Sequence, residues 1–138
     1  MTEIIKTYPL SIAVAMAIWV LCLVPIPETP LSSISLIDKW THFVMYGVLT
    51  LVMLWERERK PIKPTISEKP VTPETHETPK APLWLLLLIP TVMGGLIELA
   101  QKYLTTCRSG EWLDFVGDII GVVIGALLYA AFHRLVLK

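Results

Sequence analysis

The sequence predicts an all-α fold, a bundle of four transmembrane helices, and three observations lead to it. Hydrophobic residues make up 54% of the 138-residue chain and charged residues only 17%, with a mean hydropathy of +0.60. A soluble domain of this size carries about a quarter charged residues. Apolar runs recur at 8–24, 36–55, 83–104 and 112–137, each near the roughly 20 residues that cross a hydrocarbon core of about 30 Å. None of them alternates with period two, and unpaired backbone groups cannot face lipid, so helices are expected rather than strands. A chain of this length holds four crossings and little else, which predicts a single membrane domain over residues 1–138.

The first run follows Met1 to Lys6 and ends before Pro25, Pro27 and Pro30, which stop the helix. No small-residue cleavage site follows it, and Leu21 stands before Cys22 where a lipoprotein processing site wants a small residue, so it reads as a retained helix. After the second run, residues 56–82 change character. Glu56-Arg57-Glu58-Arg59-Lys60 gives way to repeated Pro, Thr, Lys and Glu, a composition with almost nothing to bury that predicts a disordered linker, with His76 a solvated residue within it. Pro90 lies inside the third run and predicts a kink. In the fourth run Gly117, Gly121 and Gly125 make a small-residue ridge along which another helix can come close. Packing within the bundle, with Gly94 and Gly95 as the partner surface, is the first reading of that ridge; a homo-oligomer through it is the alternative.

Orientation follows from Lys and Arg. Lys6, the basic residues of the linker (Arg57, Arg59, Lys60, Lys63, Lys69, Lys80), Arg134 and Lys138 fall on one side, against Lys39, Lys102 and Arg108 on the other. The side richer in Lys and Arg is cytoplasmic, so both termini and residues 56–82 are expected inside, in a multi-pass protein of the cell's inner membrane. Trp55 and Trp84 flank the linker while Trp40 and Trp112 stand at the other ends of their helices, as interface anchors do.

The polar residues near the opposite, outward face gather in three segments. Asp38, His42 and Tyr46 repeat every four residues, Glu98 and Gln101 are three apart, and Asp114 and Asp118 are four apart, so each set forms a stripe on one helix face. Ionisable groups at membrane depth are costly and turn toward the bundle interior, where they find partners. Lys39 and Arg108 lie beside these stripes. One reading is a set of ion pairs that pins helices two, three and four together. The other is an outward pocket in which Arg108 or Lys39 grips an anionic head group and His42 relays a proton. Three basic or imidazole groups and at least four acids are more than register demands, and this favours the pocket.

Formal net charge is zero and no basic run tracks a phosphate backbone, which argues against nucleic acid as a partner. Cys22 and Cys107 are the only cysteines, with no Cys or His spacing of a structural zinc site, so neither metal nor cofactor is expected. The two can meet on the oxidising side, or Cys22 can be a buried small hydrophobe, which is the preferred reading.

The combination Asp38-Lys39, His42-Phe43, Tyr46, Glu98-x-x-Gln101, Arg108, Asp114 and the glycines at 121 and 125 resembles the VanZ-like family of small bacterial membrane proteins. The likeness spans helices two to four. It implies a cell-membrane protein, from a family whose founding member is linked to low-level resistance to the glycopeptide teicoplanin, and it carries the matching positions Asp38, Lys39, His42, Tyr46, Glu98, Gln101, Arg108 and Asp114 over as site residues. Asp118 departs from the family, which often has Asn there, and adds a negative charge to the site.

Three functions follow as expectations. The first is a binding or accessory protein of the cell envelope that takes a lipid head group, a lipid-linked precursor or a lipoglycopeptide. The second is a membrane enzyme acting on a lipid ester or phosphate, with His42 as general acid or base and Glu98 or Asp114 orienting it. GxSxG, HExxH and paired-phosphatase motifs are absent, and Ser109 reads as a loop residue rather than a nucleophile. The third, a small oligomeric transporter, ranks last, because four helices enclose little volume.

Overall fold

A computed structural model of the protein describes residues 7–24, 37–59, 81–105 and 111–136. Among these residues there are four helices and no strand: α1 (Pro9–Leu23), α2 (Ile37–Glu58), α3 (Leu83–Leu104) and α4 (Trp112–Val136). Pro9 opens α1 in the first turn, where its missing N–H removes no intrahelical bond. Pro82 precedes α3 in extended backbone. Pro90 does not end α3; the helix continues to Leu104 with this ring fully buried.

Contacts between the helices set their directions. Glu56 near the end of α2 meets Leu10 and Ser11 at the start of α1, Gly94 of α3 meets Asp118 of α4, and Gly117 and Gly125 of α4 meet Lys39 and Gly47 of α2. Successive helices therefore alternate in direction, and α2 and α4 run parallel. That pair has the most extensive contact in the bundle, and its cause is the glycine ridge. A Cβ on Gly125 would lie 2.6 Å from the Gly47 carbonyl oxygen, and one on Gly121 3.1 Å from the Gly47 amide nitrogen. Glycine at these positions lets two backbones touch. The partner of the ridge is thus α2, with Gly47 in the seam, rather than Gly94 and Gly95. Gly94 instead makes room for the Asp118 carboxylate, and Gly95 packs on the Phe115 ring.

The apolar core contains Ile18, Tyr46, Leu49, Met53, Leu86, Ile97 and Val122. Much of the remaining apolar surface points outward: Trp84, Leu127, Phe132 and Leu135 are all more than 60% exposed. Residues Leu83–Leu104 and Trp112–Leu135 are long and apolar enough to cross a bilayer, yet only 22% of an apolar 18-residue stretch in each is buried. The core helix of a soluble protein would be mostly buried, so an apolar solvent fits these exteriors better than water.

The structure corrects one boundary. The linker was expected from residue 56, but α2 runs on to Glu58, and Glu56 is buried at 2% exposure. Its carboxylate accepts hydrogen bonds from the Leu10 and Ser11 amides at 2.8 and 2.9 Å and from the Ser11 hydroxyl at 2.5 Å. The unpaired amides and positive dipole end of α1 are what satisfy this charge. Arg57 donates to the Ala81 carbonyl, and Arg59 lies over the Trp55 ring. Residues 60–80 of the linker, His76 among them, lie outside the described residues.

Candidate functional site

The parallel pairing of α2 and α4, with α3 antiparallel beside α4, brings the polar stripes of three helices to one end of the bundle. His42, one helical turn into α2, is 1% exposed and its Nδ1 lies 3.0 Å from Asp118 Oδ1 on α4. The same nitrogen is 3.8 Å from Glu98 Oε1 on α3. Tyr46, one turn further along α2, stacks on the imidazole with ring centroids 6.5 Å apart. His42 of α2 therefore faces acids of both α3 and α4.

Among the described residues, three buried polar atoms at this end have no hydrogen-bond partner: Tyr46 Oη, Glu98 Oε1 and Asp118 Oδ2. Each would cost about 1–3 kcal/mol if left unsatisfied, so the group is an unusual concentration of unmet demand. Two of the three are carboxylate oxygens on side chains that are 11% and 1% exposed.

Above this cluster is a rim. Lys39 Nζ is 2.9 Å from Glu111 Oε2 and 3.3 Å from Asp114 Oδ1, and the Glu111 amide donates to Glu98 Oε2 at 2.8 Å. Glu98 thus belongs to both layers, one oxygen held by the backbone at the start of α4 and the other left facing His42. Lys39 already has two carboxylate partners, which weakens its expected role as a grip for an anion.

Of the residues singled out from sequence, Lys39, His42, Tyr46, Glu98, Asp114 and Asp118 are brought together. Gln101 is buried but turned away: its amide donates to the Cys22 carbonyl at 3.0 Å and ties α3 to the end of α1. Asp38 lies in the first turn of α2, with its side chain outside the described part of the structure, and Arg108, Ser109 and Cys107 fall outside the described residues. The carboxylate hydrogen-bonded to His42 is Asp118, not Glu98 or Asp114 as expected of an orienting group. Sequence reasoning left Glu111 and Gly47 out of the site. Glu111 could have been found as an acid just before an apolar run, beside a lysine-bearing stripe.

The fold and site define a small all-helical protein with lipid-compatible outer faces and a buried ionisable cluster at one end. A sequence model of the VanZ/LLP1 family matches residues 3–133, nearly the whole chain, and the chain belongs to that family. No curated protein and no solved structure matches it.

Proposed function

We propose that this is a multi-pass protein of the bacterial inner membrane, with both termini and the linker cytoplasmic, that binds the polar head of a membrane lipid, a lipid-linked envelope precursor or a lipoglycopeptide at an outward-facing site. Its four helices each cross the bilayer, and the site end of the bundle is the extracytoplasmic one, as the distribution of Lys and Arg suggests. The observation that carries the reading is the set of unpartnered atoms Tyr46 Oη, Glu98 Oε1 and Asp118 Oδ2 beneath the Lys39 rim. Two acceptors and one hydroxyl suit a head group that brings hydrogen-bond donors, such as a sugar or an amine. Arg108, just before α4 in sequence, remains the candidate to hold a phosphate. Membership of the VanZ/LLP1 family fits an envelope role tied to glycopeptide resistance.

The test is binding of lipid-linked precursors and of teicoplanin to the protein in nanodiscs, together with teicoplanin sensitivity of cells at matched expression. Glu98→Gln and Arg108→Ala are expected to weaken binding at least tenfold and to shift sensitivity. Unchanged values for both variants would remove the proposal.

One observation favours a second reading. A buried imidazole hydrogen-bonded to a carboxylate is an arrangement able to move a proton. Chemistry on a lipid ester or phosphate would use His42 as the acid or base and Asp118 as its positioning residue. Incubation of the purified protein with labelled lipid esters and lipid phosphates decides between them, since absence of turnover leaves binding alone.

A further inference from the structure

The site has an excess of acid that a neutral head group, such as a sugar, does not neutralise. His42, Glu98 and Asp118 come from three different helices, yet one donor atom of each lies within 4.8 Å of the other two. Two of these residues are carboxylic acids, and the rim cation among the described residues, Lys39, is held by Glu111 and Asp114. Carboxylates buried side by side require a positive charge or a proton between them. The imidazole alone offers one charge at most, and it already directs Nδ1 at Asp118 Oδ1.

The donor spacing suggests what fills the gap. Donors around one first-row metal ion at bond lengths of about 2.0–2.2 Å stand roughly 3.0–3.5 Å apart. His42 Nδ1 to Asp118 Oδ1 is 3.0 Å and His42 Nδ1 to Glu98 Oε1 is 3.8 Å, so a closure of a few tenths of an ångström completes that part of the shell. Independently of the spacing, Glu98 Oε1 and Asp118 Oδ2 lack any hydrogen-bond partner, the latter on a side chain that is 99% buried, with Tyr46 Oη a third unpartnered atom. Gly94 supports the same carboxylate by omission: a Cβ there would lie 2.5 Å from Asp118 Oδ2.

We infer that His42, Glu98 and Asp118 form a binding site for one divalent first-row metal ion. One imidazole and two carboxylates are a mixed nitrogen and oxygen set, suited to Zn²⁺ or Mn²⁺ rather than to the softer metals that thiolates select. Two carboxylates balance the charge of the ion. Coordination positions left over by three protein ligands stay open to water or to an oxygen of a guest. The site goes beyond head-group binding and stands whether or not that reading holds, because the ion is bound by the protein's own side chains.

The experiment is a titration of the full chain, purified in nanodiscs and stripped with EDTA, with Zn²⁺ alone followed by calorimetry and with Mn²⁺ alone followed by electron paramagnetic resonance. One ion per chain is expected, with Glu98→Gln and Asp118→Asn each weakening binding by about tenfold or more, as loss of metal-site support does. Glu58→Gln, which changes an acid at the opposite end of α2 beside Arg57, should bind as the parent does. Thermal unfolding with and without Zn²⁺ controls for folding: the ion should raise the midpoint of the parent and of Glu58→Gln but not of Asp118→Asn. Absence of stoichiometric binding by the parent overturns the inference, as does equal binding by Glu98→Gln and Asp118→Asn. Loss of lipid binding with metal binding retained would count against the head-group reading alone.

Discussion

Placing a single methyl group on Gly121 tests the seam on which the site depends. In Gly121→Ala the added Cβ would lie 3.1 Å from both the Gly47 amide nitrogen and the Phe43 carbonyl carbon, and nearer still to the Phe43 oxygen. These are backbone atoms of α2 and cannot rotate aside, so the two helices must separate. Overpacking of this kind costs about 1–3 kcal/mol, while alanine recovers up to about 1 kcal/mol of helix propensity relative to glycine. The net expectation is a loss of about 1–2 kcal/mol. Gly95→Ala is the matched control, because its Cβ would meet the Phe115 ring at an ordinary 3.4 Å, leaving the propensity gain largely intact. Reversible unfolding of both variants in mixed micelles, titrated with a denaturing detergent, measures the difference. Separation of α2 from α4 also lengthens the 3.0 Å contact between His42 and Asp118, so metal binding should weaken in Gly121→Ala and not in Gly95→Ala. If Gly121→Ala proves as stable as the parent, the close approach of α2 and α4 is wrong.

Further outcomes follow from other contacts. Glu56→Ala removes the acceptor for two amides and the hydroxyl at the start of α1 and should destabilise the protein by about 2 kcal/mol, read in the same unfolding assay, whereas an effect below about 0.5 kcal/mol would mean that water serves those amides equally well. Gln101→Leu deletes the donor to the Cys22 carbonyl and should cost about 1–2 kcal/mol while leaving Zn²⁺ affinity within a factor of about two, and a large loss of metal binding would instead place Gln101 in the site. Reporters fused at Thr72 and Thr106 should read on opposite sides of the membrane; the same side for both would end the four-crossing topology.

Much of the helical layout was legible because it is local. Apolar runs bounded by Pro25, Pro82 and the polar residues after Trp55 mark helices that the structure places at Pro9–Leu23, Ile37–Glu58, Leu83–Leu104 and Trp112–Val136. The four-residue spacing of His42 with Tyr46 and of Asp114 with Asp118 puts each pair on one helix face, as the 3.6-residue period requires. Composition places Glu56 with the charged linker, and only the presence of the α1 terminus across the bundle explains a buried carboxylate there.

Which helix meets which was a matter of tertiary structure. Periodicity along one helix says which face is polar or small, but the neighbour of that face is set by the fit of surfaces distant in the chain, and a glycine ridge accepts any backbone able to come close. The ridge at Gly117, Gly121 and Gly125 met Gly47 of α2, and that choice of partner put His42 against Asp118. The same choice turned Gln101 toward Cys22 and left Glu98 and Asp118 facing one space. No spacing in the sequence announces a three-residue cluster assembled from positions 42, 98 and 118, because each donor sits alone on its own helix and becomes a site only when the three helices pack.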